Sequence, residues 1–118
     1  MSGAEFSAGT EPGRVTLAEM QPHIPADGIR SARAFFHGTM EGKLYQPRGT
    51  DLQKPHSRDE VYVVAAGRAR FVNGAARYPV GAGDFLFVPA GRVHRFEDIS
   101  EDFATWVVFY GPEGGEQA

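Results

Sequence analysis

Residues 83–98 read GDFLFVPAGRVHRFED. The stretch divides into a turn, a strand, a second turn and a second strand. Phe85–Val88 (FLFV) is built from residues that suit a pleated, half-buried surface. Pro89-Ala-Gly91 stops it: proline has no amide for a ladder, and glycine accepts the backbone of a tight turn. Val93–Glu97 resumes as a strand, with His94 near its start.

The same rhythm runs outward in both directions. Glu60–Ala66 (EVYVVAA) ends at Gly67, and Ala69–Val72 ends at Asn73-Gly74. Asn-Gly between apolar runs is the strongest short hairpin signal. Ala75–Val80 returns from that turn, and Gly81–Asp84 turns again. Ala104–Tyr110 (ATWVVFY) is the last strand. Upstream, Ser31–His37 and Lys43–Gln46 read as strands around a turn at Gly38–Gly42. Val15–Leu17 reads as a short edge strand, Gln21–Gly28 as a loop, and Pro47–Lys54 as a polar loop or irregular strand. Strands recurring about every 8–12 residues with turn signals between them indicate a sandwich or barrel. No segment carries sustained helical periodicity.

Composition agrees with this. A chain of 118 residues favours one domain, and fifteen glycines with eight prolines favour many short strands. The net charge is −3, with no basic cluster, so nucleic acid is not an expected partner. There is no cysteine, which excludes disulfides and thiolate metal sites. The start, MSGAEFSAGTEPGR, lacks the basic and apolar blocks of a signal peptide. No apolar run approaches the roughly 20 residues of a membrane helix. The expected setting is cytoplasmic. Residues 1–14 are expected to be a flexible tail, 15–111 the barrel domain, and 112–118 a polar tail.

Four histidines occur. His23, in a Pro-rich loop, and His37, beside Gly38, read as ordinary surface histidines. His56 and Glu60 lie four apart where a strand begins. Even spacing in extended chain puts both on one face, where imidazole and carboxylate can bind a divalent ion. The spacing alone leaves open that both are simply solvated. His94, taken alone, is a strand-end histidine.

The combination resembles the cupin superfamily. Gly83, Pro89, Gly91 and His94 match the spacing of the second cupin motif, with Asp98 where the motif ends in asparagine. His56, Glu60 and Gly67 match the second histidine, the glutamate and the closing glycine of the first motif. Gly49 lies one residue out of register with its opening glycine. Fifteen residues separate Gly67 from Gly83, as in compact bacterial cupins. The resemblance spans residues 43–110. It implies an all-β fold, a single-domain double-stranded β-helix (jelly-roll) cupin barrel of the "cupin 2" type. It also implies a divalent metal, Fe, Mn, Ni or Zn, held by His56, Glu60 and His94.

One departure changes the expected ligand set. Lys54 stands where the motif has its first histidine. A protonated lysine has no lone pair to give a metal. Two histidines and one carboxylate can still hold an ion with open positions. Asp51 or Gln53 is a candidate fourth ligand. Alternatively, Lys54 sits in the pocket as a cation for an anionic ligand. Arg58, Arg92 and Arg95 near the motifs could clamp a carboxylate, or be exposed strand-end residues. Tyr45, Tyr62, Phe71, Phe85, Phe87, Phe96, Trp106 and Phe109 are expected to supply wall and core.

The fold does not fix a reaction. Cupins include dioxygenases, isomerases, decarboxylases, lyases, sugar-binding regulators and storage proteins. The leading expectation is a metal site that binds a small organic ligand, anions included, and could serve a metal-dependent enzyme. The alternative is a non-catalytic anion-binding or sensing module without functional metal. A third reading is a degenerate site. The expected partners are a small-molecule ligand and, since exposed sheet edges need cover, a second copy in a homodimer.

Overall fold

The computed structural model describes residue 9 and residues 11–117. The expected tail at residues 1–14 lies largely outside them; within it, Glu11 and Arg14 form an isolated antiparallel bridge. One short helix, α1 (Leu17–Met20), runs into a 3₁₀ turn (Gln21–His23). Eight strands follow: β1 (Ser31–His37), β2 (Met40–Tyr45), β3 (Asp59–Ala66), β4 (Arg68–Asn73), β5 (Ala76–Gly81), β6 (Phe85–Val88), β7 (His94–Glu97) and β8 (Ala104–Tyr110). They form two antiparallel sheets, ordered β1-β2-β8-β3-β6 and β5-β4-β7. This is an all-β jelly roll. No helix among the described residues is long and apolar enough to cross a membrane.

Register decides what faces inward. Tyr62 stands opposite Val107 on β8 and Leu86 on β6. Glu60 stands opposite Phe109 and Val88. Strand alternation then sends Glu60, Tyr62 and Val64 into the barrel together. From the smaller sheet Phe71 and Phe96 meet Tyr62. The Tyr62–Phe96 ring centroids are 5.0 Å apart, edge to face, and the Phe71–Phe96 centroids 4.7 Å apart. Phe103, fully buried, closes this cluster against Phe96. Such aromatic contacts add about 1 kcal/mol each beyond the area they bury.

The expected strands over 31–37, 60–66, 69–72, 75–80, 85–88, 93–97 and 104–110 are present with small shifts at their ends. Three readings are corrected. Val15–Leu17 is not an edge strand: Thr16 and Glu19 form a capping box, and Leu17 opens α1. The helix buries Met20 against Leu44, Ala34 and Ala104 on the outer face of the larger sheet. The turn after β1 is tighter than Gly38–Gly42, because β2 begins at Met40. Phe85 and Phe87 are not core. They point outward, 68% and 47% exposed, while Leu86 and Val88 take the inner face of β6.

Two backbone positions explain motif residues. Gly67 has φ +73°, and a Cβ there would lie 2.6 Å from the Phe103 Cα. Only glycine fits where the chain passes β8's entry so closely. Asp98 has φ +50°. Asparagine and aspartate are the side chains that tolerate this left-handed region best, so aspartate serves where the motif has asparagine.

Candidate metal centre

His56, Glu60 and His94 come together across the barrel. Glu60 points in from β3 and His94 from β7, so the two sheets each supply one ligand. His56 precedes β3 in a loop, rather than sharing a strand with Glu60 as the spacing suggested. Its Nε2 still lies 4.0 Å from Glu60 Oε2. One ligand atom from each residue lies within 4.8 Å of the other two.

Hydrogen bonding assigns the lone pairs. His94 Nδ1 is 2.8 Å from the Arg92 carbonyl. A carbonyl only accepts, so Nδ1 carries the proton and Nε2 presents a lone pair to the barrel. That nitrogen faces Glu60 Oε1 at 2.9 Å. Among the described residues neither atom has a hydrogen-bond partner, and the same is true of Glu60 Oε2 and His56 Nε2. Four buried, unpartnered ligand atoms around one point are costly without a cation between them. The donor set of two imidazole nitrogens and a carboxylate suits Fe, Mn, Ni or Zn. The residues present therefore fit a divalent metal.

The electrostatics differ between the two imidazoles. Burial lowers the pKa of His56 below the ordinary value, and the nearby His94 and Lys43 act in the same direction against the pull of Glu60. Burial also opposes charge on His94, but the Glu60 carboxylate and the Arg92 carbonyl outweigh it and raise its pKa. His56 is thus a neutral donor. His94 is the group on which a proton and a bound metal would compete.

Backbone contacts hold both histidines in place. The Gly91 amide donates to the His56 carbonyl at 2.7 Å. Asp59, buried next to Glu60, accepts from the Ala90 amide at 2.9 Å and the Glu116 amide at 2.8 Å. The Glu116 and Ala90 amides hold the Asp59 carboxyl below its usual range. The Gly114 amide donates to the Ser57 carbonyl. Segment 56–59 is thereby tied to the 89–91 turn and to residues 114–116 of the polar C-terminal stretch. This is second-layer support of the kind metal sites depend on.

The candidate fourth ligands are engaged elsewhere. Asp51 accepts from the Tyr45 hydroxyl, the Gln53 amide nitrogens of backbone and side chain, and the Phe96 amide. Gln53 Oε1 accepts from the Tyr62 hydroxyl at 2.9 Å. Burial, then Asp51, pushes the Tyr45 phenol up; burial, then Glu60, does so for Tyr62. Both phenols are therefore protonated donors. Lys54 is exposed, at the edge of the cavity that His56 also lines. The arginines are also occupied: Arg58 donates to the Thr39 carbonyl, Arg92 bonds Asn73 at 3.4 Å, and Arg95 pairs with Glu97 at 2.8 Å. His23 and His37 are exposed and belong to no candidate metal group among the described residues.

A cavity of about 290 Å³ opens beside His56. Its walls include Leu52, Val107 and Phe109, with Lys43 and Lys54 as its charged members. The sequence places Lys43 in a strand but not among the candidate site residues. Its parity with Tyr45, two residues on along β2, was the available signal.

Residues 44–110 match the family profile described as the cupin domain. An uncharacterized protein of Streptomyces coelicolor is 50% identical over 64 residues, 54% of this chain and 61% of that protein. The aligned part thus spans about three fifths of the relative's length. Among solved structures, a conserved protein of unknown function from Streptococcus pyogenes superposes with TM-score 0.72 at 18% identity, covering 93% of this chain and 96% of the other. A cupin superfamily protein from Desulfitobacterium hafniense gives 0.71 at 16% identity, covering 92% and 100%. A cupin 2 conserved barrel domain protein from Salinispora arenicola gives 0.64 at 20% identity, covering 87% and 91%. At these identities the structural matches speak to fold alone. With the matched profile over more than half the chain, they make this protein a member of the cupin superfamily, of the conserved-barrel type.

Proposed function

We propose that the chain is a metal-binding cupin in which His56, Glu60 and His94 hold one divalent ion and a small organic ligand enters from the adjoining cavity. The supporting observation is the convergence of four buried ligand atoms, His56 Nε2, His94 Nε2 and both Glu60 oxygens, of which a proton on His94 would pair only Nε2 and Oε1, 2.9 Å apart. Asp51 and Gln53 are saturated by other partners, which favours a three-residue ligand set with positions left open to the cavity. When bound, such an ion acts as a Lewis acid toward a ligand oxygen or as a centre for oxygen chemistry. The chain's own groups orient and shield. Arg92 fixes the His94 tautomer. Phe109 packs edge-on against the His56 ring at 4.6 Å. Tyr62 and Gln53 hold the loop over the barrel.

A thermal melt tests this. Adding Fe, Mn, Ni or Zn to chelator-treated protein should raise the unfolding midpoint, because ligands that bind only the native state stabilise it. No shift with any of the four ions speaks against the proposal and for the metal-free reading, in which Lys54 and its neighbours bind an anion. The second copy of a homodimer is proposed to cover Phe85 and Phe87 on edge strand β6, which stand opposite Val63 and Val61.

A further inference from the structure

Lys43 is a lysine on the inner face of the larger sheet. Along β2, Glu41, Lys43 and Tyr45 stand opposite Phe109, Val107 and Thr105 of β8. Those three in turn face Glu60, Tyr62 and Val64 of β3. The alternation that sends Glu60 into the barrel therefore sends Lys43 there too. Packing does not account for an ammonium in that row.

Its charge is only partly offset within the chain. The carboxylate within ion-pair range is Glu41, at 3.9 Å, too long for a hydrogen bond. Glu41 is itself claimed by Arg33 at 2.9 Å and approached by Arg58 at 3.9 Å. Three cations surround one carboxylate. The Lys43 ammonium lies over the Phe109 ring at 5.5 Å, and the same ring packs against His56. Lys43 thus stands next to the metal-ligand histidine on a shared aromatic floor.

The cavity in front of it is mainly apolar. Ile29, Leu52, Val107 and Phe109 line it, and Lys43 and Lys54 line it without an acidic residue among them. At about 290 Å³ it lies at the low end of the range for small-molecule sites. An apolar hollow with two ammoniums and no carboxylate selects an anion with an apolar body. The ammonium is a compact point charge, suited to a single carboxylate rather than a planar fork.

We propose that Lys43 is the specificity-determining residue of this cavity, and that the ligand is a small carboxylate whose apolar body lies against Val107, Leu52 and Phe109. Lys54 at the rim adds a second positive charge. The inference rests on reading the barrel cavity as the ligand site, but not on the metal being bound.

The test compares benzoate with benzamide, its neutral isostere, on chelator-treated and on zinc-loaded full-length protein. Binding is followed by amide chemical shifts. Benzoate should shift the Lys43, Val107 and Phe109 signals and bind about tenfold more tightly than benzamide, the scale of one charge-assisted hydrogen bond. On chelator-treated protein Lys43→Met should remove that preference, with the fold of the variant read from the dispersion of its amide spectrum. Lys43→Arg should keep the preference. If Lys43→Met does not fold, Lys43→Gln takes its place. On chelator-treated protein, equal affinity for the two probes, an undiminished preference in the neutral variants, or no benzoate-induced shift would overturn the proposal. Metal uptake by wild type is scored separately, so a wild type that binds metal and shows no preference for benzoate counts against Lys43 alone. Metal absent with the preference intact counts against the metal reading alone.

Discussion

The imidazole Nε2 of His94 and the carboxylate Oε1 of Glu60 stand 2.9 Å apart with both side chains 1% exposed. The Arg92 carbonyl already takes the Nδ1 proton. A lone pair therefore meets an acceptor between two buried side chains. A cation, either a proton on Nε2 or a metal, reconciles them. A metal would also give His56 Nε2 a partner; a proton on His94 would not.

This arrangement predicts that the site is maintained at a cost to the metal-free chain. Glu60→Gln removes a buried carboxylate and offers an amide that can donate to His94. The metal-free variant should be more stable than metal-free wild type by about 1 kcal/mol, the scale of relieving an unsatisfied buried group. It should also lose the metal-induced rise in melting temperature. Denaturant titration with and without chelator checks both. A variant less stable than metal-free wild type would mean that Glu60 is there for structure.

Asp51 predicts a different phenotype. Its carboxylate collects donors from β2, from its own loop and from β7, through Tyr45, Gln53 and Phe96. Asp51→Ala leaves a buried phenol and a strand amide without acceptors. It should cost about 3 kcal/mol of stability, read by urea denaturation, since each orphaned donor costs about 1–3 kcal/mol. A loss within the scatter of surface substitutions would show that water replaces the carboxylate.

Two glycines separate backbone conformation from crowding. Gly67 and Gly83 both have positive φ, +73° and +94°. A Cβ at Gly67 would meet Phe103 at 2.6 Å, whereas at Gly83 it would meet nothing within 4 Å. Gly83→Ala should cost about 1 kcal/mol from conformation alone. Gly67→Ala should cost at least about 2 kcal/mol more, because the entry to β8 must move. Equal midpoints in denaturant would contradict the close approach.

The outward phenylalanines predict the assembly state. Phe85→Glu with Phe87→Lys replaces two exposed rings on an edge strand by charges, a substitution that blocks edge association. Wild type should elute at dimer mass and the double variant at monomer mass. A monomeric wild type removes the second copy from the proposal.

The fold was legible because its punctuation is local. Asn73-Gly74, Gly81–Asp84 and Pro89-Ala-Gly91 announce turns through their own backbone chemistry, and the strands between them follow. The site was legible because His56, Glu60 and His94 fall at motif spacings. Other features were readable but unread. Thr16 and Glu19 carry the capping-box signature that opens α1. Period-two alternation along β6 allows Phe85 and Phe87 only one face, and Leu86 with Val88 the other; composition could not say which face is buried. Lys43 shares parity with Tyr45. The hydrogen bonds of Asp51 were not readable, because one of its partners, Phe96, is 45 positions away. Such long-range satisfaction turns a candidate ligand into a structural anchor.

The most direct measurement is metal stoichiometry. Wild-type protein, reconstituted with a divalent ion and freed of excess, is assayed by elemental mass spectrometry beside His94→Ala. The predicted result is one ion per wild-type chain and none per His94→Ala chain, with the variant still folded by circular dichroism. Wild type without metal after exposure to Fe, Mn, Ni and Zn, or full occupancy surviving in His94→Ala, would contradict the assignment of His56, Glu60 and His94 as a metal centre.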